Sequence, residues 1–253
     1  MKIILNHLLN LLGLLWNIVP TFLRREIFTF FLILESRSIN VKSGLKNLFH
    51  FRDRLDWIIN ERAMKYGKGV HPKHKLTGYH NFFINRIKDG ENVLDVGCGY
   101  GAVAKNIAIS KPNSKVVGID NDKKRLSQAL NIDKLNNLEF VFGDATSSVP
   151  EGKWSIVILS NVLEHITERK IFLLDLCLTT SAKKFLIRVP LFERDWQMAL
   201  RKEIKVNYFS DNDHKIEHKI DEFKKEVIES NLEIIEIKTI WGEIWAECRP
   251  LIS

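Results

Sequence analysis

Residues 92–101, NVLDVGCGYG, constrain this chain more than any other stretch: an apolar strand runs directly into a turn with glycine at alternate positions, and Asp95 stands two positions before the first of them. Val93, Leu94 and Val96 supply the β-branched and apolar side chains of a buried parallel strand. Gly97, Gly99 and Gly101 remove the Cβ atoms that would block an unusual backbone conformation or a ligand's approach, and Ala102 to Ser110 resumes as a helix. A ligand can sit there against bare backbone at a helix N-terminus, which is the arrangement of a nucleotide-type cofactor site. The spacing satisfies GxGxG and, with Ala102 as third small residue, GxGxxA, so the glycines alone do not choose the cofactor class.

The acids around the turn carry the choice. Asp120 closes the next strand in VVGID, and Asp144 with Ala145 lies in FGDAT. A ribose diol offers two donors that a carboxylate accepts in bidentate fashion, whereas a pyrophosphate beside Asp95 would suffer like-charge repulsion. A cationic sulfonium suits an acid-rimmed site better. This ordered set resembles class I S-adenosylmethionine-dependent methyltransferases. The resemblance implies an α/β fold with a Rossmann-like, seven-stranded, mostly parallel sheet whose last strand is antiparallel. It also implies that Asp95 and the turn Gly97, Cys98, Gly99 and Gly101 border the amino-acid part of S-adenosylmethionine. Asp120 and Asn121 would border the ribose, Asp144 and Ala145 the adenine, and Ser160 and Asn161 would complete the cofactor set.

WSIVILSNVLEHI, residues 154–166, reads as a fourth strand followed by Asn161, Glu164 and His165 at its C-terminal end, where open α/β sheets bind ligands. Relatives place a similar Glu-His pair against the substrate side of the methyl donor, making His165 the first candidate base and Glu164 its orienting partner; a structural histidine at a helix start is the equal alternative. Some quinone-pathway relatives hold a divalent metal with ExxEH, but Asn161 stands where their first Glu would, so no metal is expected. Upstream, YGKGVHPKHKLTGYHNFF reads as a loop followed by a short helix carrying Tyr79, Phe82 and Phe83. Such a segment often shapes the substrate entrance in the family, which makes His74 a second candidate base and His71 and His80 substrate contacts; a solvated loop is the alternative.

Downstream, a helix over 167–179 leads to a fifth strand in KKFLIRVPL, then to a long insertion before a helix over 221–230 capped by Asn231. Arg188, Arg194 and His214 of this region suit a carboxylate- or phosphate-bearing acceptor, with a solvated surface strip as the bland reading. Leu232–Ile240 and Ile244–Cys248 are two strands joined at Gly242 in an antiparallel hairpin.

The N-terminus lies outside the resemblance, which suggests a helical extension over 1–66 and a methyltransferase domain over 67–253. Residues 3–19 are nearly all apolar, with Asn6, Asn10, Gly13 and Asn17 on one narrow helical stripe. Pro20 and the cluster Arg24, Arg25 and Glu26 are expected to interrupt the helix before a second apolar run from Ile27 to Leu34. Neither run reaches the roughly 20 residues that cross a bilayer, and only Lys2 precedes the first, with no small-residue cleavage site after it. A helical pair packed on the domain or on a homodimer partner, an interfacial helix on a membrane, and a true anchor all stay open. The net charge of +7 fits an anionic leaflet and other acidic partners alike.

Cys98, Cys177 and Cys248 show no CxxC spacing, which argues against a zinc or disulfide framework and for a reduced, cytoplasmic chain, with the inner membrane face as the alternative location. No RNA-recognition motif stands out and basic residues are distributed along the chain, so nucleic acid is disfavoured. The expected activity is methylation, at oxygen, of a small-molecule, sugar or lipid-linked acceptor. A catalytically silent S-adenosylmethionine-binding protein that recruits a partner or membrane is the alternative, and a nicotinamide-dependent oxidoreductase lacks its Tyr-x-x-x-Lys pair.

Overall fold

A computed structural model describes residues 2–130 and 135–251, with backbone alone for residues 2–7. The chain forms two compact units, one running to Gly69 and including Ile204–Val206, the other comprising Val70–Glu203 and the residues from Asn207 onward.

The first unit is helical: α1 (Lys2–Trp16), α2 (Thr21–Ser36) and α3 (Val41–Tyr66). Pro20 is the N-cap of α2, where its missing N–H costs nothing, and Arg24 ties the corner by donating to Asn17 Oδ1 at 2.7 Å and to Thr21 Oγ1 at 3.0 Å. The expected interruption at Arg24, Arg25 and Glu26 does not occur, because these good helix formers continue α2 once Pro20 has turned the chain. Asn40 caps α3 through its side chain, which accepts from Ser43 N. Gly44 lets α3 meet the end of α2, since a Cβ there would lie 2.6 Å from the Ser36 carbonyl oxygen.

The second unit opens with two short helices, α4 (Lys73–Thr77) and α5 (Tyr79–Ile84), where one was expected; Gly78 at φ +62° makes the break between them. Then follow β1 (Val93–Val96), α6 (Ala102–Ser110), β2 (Val116–Asp120), α7 (Lys123–Leu130), β3 (Leu138–Phe142), β4 (Ile156–Ser160), α8 (Arg169–Thr180) and β5 (Lys184–Pro190). The insertion after β5 is not featureless: Trp196–Ile204 folds as α9 before α10 (Ile220–Glu229), β6 (Leu232–Ile240) and β7 (Glu243–Pro250). Helix α10 ends at Ser230, and Asn231 follows in the left-handed region at φ +58° as a turn residue after the cap.

The described strands form one seven-stranded sheet in the order β3-β2-β1-β4-β5-β7-β6, with β7 antiparallel to both neighbours. All of β1 and β2 is buried, as strands covered by helices on both faces must be. Period-two alternation divides their side chains: Leu94, Val96, Val117 and Ile119 join α8 and α10 in one core, while Val93 and Val116 join α5 and α6 in the other. Asp95 therefore falls on the α5–α6 side, and the reversal of strand order between β1 and β4 opens a crevice at their C-terminal ends.

Candidate functional site

The turn after β1 is fastened to β2. Gly97 N and Cys98 N both donate to the Ile119 carbonyl, at 2.8 and 3.1 Å, and Gly101 N donates back to Cys98 O at 2.9 Å. All three glycines have positive φ, between 55° and 71°. Their surroundings differ. A Cβ on Gly101 would meet the Phe140 ring at 2.4 Å and one on Gly97 would meet Val162 at 2.7 Å, but one on Gly99 would meet nothing within 4 Å. Gly101 is thus a packing glycine, while Gly99 borders open space. Gly101→Ala is expected to cost about 2–4 kcal/mol and lower the melting temperature by roughly 5–15 °C, whereas Gly99→Ala, carrying only the left-handed backbone penalty of about 1 kcal/mol, should unfold nearly as the parent does. Thermal unfolding of the two variants side by side checks this.

Two cavities adjoin this turn. One of about 240 Å³ is lined by Asp120, Asn121, Asp144, Ala145, Asn161 and His165 among others. The other, of about 540 Å³, is lined by Asp95, Cys98, Gly99, Ser160, Asn161, Arg188 and the histidines 74, 165 and 214. Gly97, Arg125, Asn161 and His165 belong to both walls.

Asp120 holds the turn directly: its Oδ2 accepts from Gly99 N at 2.7 Å and its Oδ1 from Asp122 N at 2.8 Å. Each oxygen keeps a second lone pair. Asp144 spends Oδ1 on Thr146 N and Oγ1 in an Asx turn. Asp95 is 1% exposed; burial pushes its carboxyl up to about 7 against the pull of the Ala104 backbone, and Oδ2 has no hydrogen-bond partner among the described residues. Burial, with Asp95 and Asp120 nearby, also raises the Cys98 thiol, so it stays protonated and unreactive.

The Glu-His pair lies in a 3₁₀ turn, Leu163–His165, and the Lys215 N–H donates to the Glu164 carbonyl at 2.7 Å, drawing residues 210–217 onto it. That backbone bond brings His214 to His165, ring centroids 4.7 Å apart and nearly perpendicular. His165 Nδ1 lies 3.3 Å from Asp213 Oδ2; its pKa is lowered, mainly by burial. His214 moves the other way: burial opposes its proton, but the hydrogen bond to Glu217 at 2.9 Å, helped by Glu164, raises its pKa overall. Glu217 is itself fixed by Arg194 and Ser210, and against the effect of burial the His214 bond, with Ser210 and Arg194, holds its carboxyl below the usual range.

Several expected site residues are placed differently. Glu164 is fully buried and lines neither cavity; burial pushes it up to about 7, and neither carboxylate oxygen has a hydrogen-bond partner among the described residues, so no bond from it orients the His165 ring. One ligand-type atom each from Glu164, His165 and His214 lies within 4.8 Å of the others, a set that a divalent cation also accepts. His80 lines neither cavity, its Nδ1 paired with Asn106 on α6, and burial lowers it to about 4. His71 likewise lies outside both walls and accepts from Lys73 N at 3.1 Å, turning the chain into α4.

His74, in contrast, does reach the larger cavity, with Nδ1 2.6 Å from the Tyr79 hydroxyl. Arg188 lines that cavity too, but its guanidinium is already clamped by Glu243 through two 2.6 Å bonds and lies 3.9 Å over the Tyr79 ring. Arg194 is occupied by Glu217 and by the carbonyls of Leu191 and Tyr208. Both arginines shape the wall more than they offer a free fork to an acceptor. Sequence reasoning missed Asp213 and Glu217, although the DNDHKIE run places both beside His214, and it missed Arg125, Trp241 and Glu243, which no local pattern marks.

Residues 87–239 match the family model described as a methyltransferase domain. Among curated relatives, the chain is similar to a probable (S)-tetrahydroprotoberberine N-methyltransferase of Papaver bracteatum, 28% identical over 37% of this chain and 28% of that protein. It is also similar to the ribosomal protein L11 methyltransferase of Thermotoga maritima, 33% identical over 55% of this chain and 51% of that one. The chain thus spans between about a quarter and half of these relatives' lengths. In fold it resembles the magnesium protoporphyrin IX methyltransferase of Synechocystis PCC 6803, solved with bound SAH, at a TM-score of 0.56 and 17% identity over 70% of this chain and 83% of that one. With more than half of its length matching the family model, and with the sheet order and glycine turn that the match requires, the chain belongs to the class I S-adenosylmethionine-dependent methyltransferases.

Proposed function

We propose that the chain methylates a polar small-molecule, sugar or lipid-linked acceptor at oxygen, with S-adenosylmethionine as donor. One observation carries this reading: the larger cavity is lined both by Asp95 and the open Gly99 and by His165, His214 and His74. The fit to the donor rests on three features of the site. Gly99 leaves its backbone bare towards open space, the buried Asp95 oxygen without a partner suits a cation, and Asp120 keeps lone pairs for a diol. When bound, the cofactor supplies an electrophilic methyl carbon on a sulfonium; the chain supplies binding, alignment and a route for the acceptor's proton.

The two neighbouring histidines divide that work because their environments push them apart. His165, lowered by burial, is neutral near pH 7, and with Nδ1–H directed at Asp213 its Nε2 is the acceptor that takes a hydroxyl proton. His214, raised by Glu217, keeps its proton longer and steadies negative charge beside it. Lys73 and Arg125 add positive charge to the wall, which favours an acceptor bearing carboxylate, phosphate or polarised hydroxyls. Relatives named for N-methylation of alkaloids use amines, for which the histidine base matters less.

Transfer of labelled methyl from S-adenosylmethionine into separated pools of polar metabolites, sugars and lipids tests the reading. His165→Ala is expected to lower turnover by roughly 10²–10⁴ with the cofactor affinity kept. Turnover of the parent should rise as pH passes upward through the lowered His165 pKa, below 6.5, and fall again above 6.5 as His214 loses its proton. Cofactor binding with no labelled product in any pool would favour the silent binding protein instead, and unchanged turnover in His165→Ala would remove that residue from the mechanism.

A further inference from the structure

The first unit carries an observation that the methyltransferase reading does not use. No residue of α2 is buried, and its apolar side chains are exposed over most of the circumference of the helix: Ile27 at 40%, Phe28 at 59%, Phe30 at 57%, Phe31 at 60%, Ile33 at 48% and Leu34 at 52%. At 100° per residue these positions sweep an arc of about 220°, and Arg25, Thr29 and Ser36 share the remaining sector. Leu8 to Trp16 of α1 repeat the pattern, with Leu14 at 67% and with Asn10 and Gly13 in the open sector. A protein partner covers one narrow stripe of a helix, whereas a helix lying in a bilayer interface buries a wide apolar arc and keeps its polar sector at the headgroups.

Length excludes crossing by either helix alone. With 15 and 16 residues, α1 and α2 are about 22 and 24 Å long, short of the roughly 30 Å hydrocarbon layer, and among the described residues no helix is long and apolar enough to span. Charge points to the kind of lipid. Basic residues are distributed along the chain, but acids are not: residues 1–69 hold eleven Lys and Arg against five Asp and Glu, so six of the seven net positive charges lie in this stretch. Arg24 and Arg25 sit just after the Pro20 corner, and Lys42 and Lys46 in the first two turns of α3, next to the apolar pair in sequence.

We infer that α1 and α2 dock the protein into one leaflet of an anionic membrane, their apolar side chains in the acyl boundary and the flanking Arg and Lys at the headgroups. Each basic group near such a surface contributes about 1 kcal/mol, and this contribution is screened by salt. The inference concerns binding only and is independent of which acceptor is methylated.

The test is flotation of the full chain with vesicles of phosphatidylcholine alone and of phosphatidylcholine with about a third phosphatidylglycerol. The expected result is recovery with the anionic vesicles at least about tenfold above that with neutral ones, in keeping with several basic contacts. Phe28→Asp with Phe31→Asp should abolish flotation on both, and Arg25→Glu with Lys42→Glu should erase only the preference for the anionic vesicles. Calorimetric binding of S-adenosylmethionine, unchanged in both double variants, shows that the second unit is intact. A parent chain that stays with the soluble fraction on both vesicles overturns the inference. So does a lipid-free parent that sediments as a discrete dimer and becomes monomeric in Phe28→Asp with Phe31→Asp, since the apolar helices would then cover one another.

Discussion

Asp120→Ala is expected to weaken S-adenosylmethionine binding by 100-fold or more in calorimetry. The carboxylate is asked to do two things at once. Its Oδ2 holds the Gly99 N–H and its Oδ1 holds Asp122 N, so the turn and the start of the α7 loop hang from one side chain. The remaining lone pairs are those a ribose diol would donate to. Hydrogen bonds to a charged group contribute about 1.5–3 kcal/mol each, so losing two from the ligand alone amounts to roughly 3–6 kcal/mol, and the loosened turn adds to this. Asp120→Asn separates the effects: one amide oxygen can still accept from Gly99, the turn should hold, and affinity should fall by a smaller factor. Equal affinity of Asp120→Ala and the parent would remove the residue from the cofactor site.

Asp95→Asn is expected to make the ligand-free protein more stable and the cofactor complex weaker. The carboxyl titrates near 7 in the folded chain against an ordinary value of 3.8, because burial outweighs its backbone hydrogen bond. The sign follows from linkage: a folded pKa above the unfolded one favours the fold at low pH, and that advantage is lost as pH rises through about 7. At pH 8 the buried charge therefore costs the ligand-free protein on the order of a few kcal/mol, which the isosteric amide avoids. Differential scanning calorimetry should find the variant's melting temperature raised by several degrees at pH 8 and by little at pH 4. A bound cation reverses the balance by favouring the carboxylate. Parent affinity for S-adenosylmethionine should accordingly climb between pH 6 and 7, flatten above about 7.5, and exceed that of Asp95→Asn by tenfold or more at pH 8. A pH-independent affinity, or equal affinity of the two proteins at pH 8, would show that Asp95 does not face the sulfonium nucleoside.

Both predictions concern residues that the sequence marks, because the features that define them are local. A strand buried on both faces has to be apolar, a turn at φ near +60° has to be glycine, and an acid at the end of a strand needs no distant partner to be recognised. The same holds for Gly242 in the last hairpin, at φ +74°. His71 and His80 show where local reading stops. Each belongs to the same histidine-bearing stretch as His74, yet one turns a chain and another is pinned to Asn106 across α5 and α6. Only His74 reaches the cavity, because the left-handed Gly78 redirects the chain between the two short helices.

Glu164 shows the same limit from the other side. A neighbouring glutamate and histidine read as two functional groups, but successive residues in a 3₁₀ turn point about 120° apart, so one enters the cavity wall and the other the core. The sequence by itself determined the sheet, the glycine turn and the acids at the strand ends, since periodicity, backbone strain and strand position are properties of a few adjacent residues. The pairing of His165 with His214, the engagement of Arg188 by Glu243 and of Arg194 by Glu217, and the burial of Glu164 were decided only by the tertiary structure. They depend on contacts between residues 23 to 55 positions apart, or on which side of one turn faces the core, and no spacing rule in the chain encodes either.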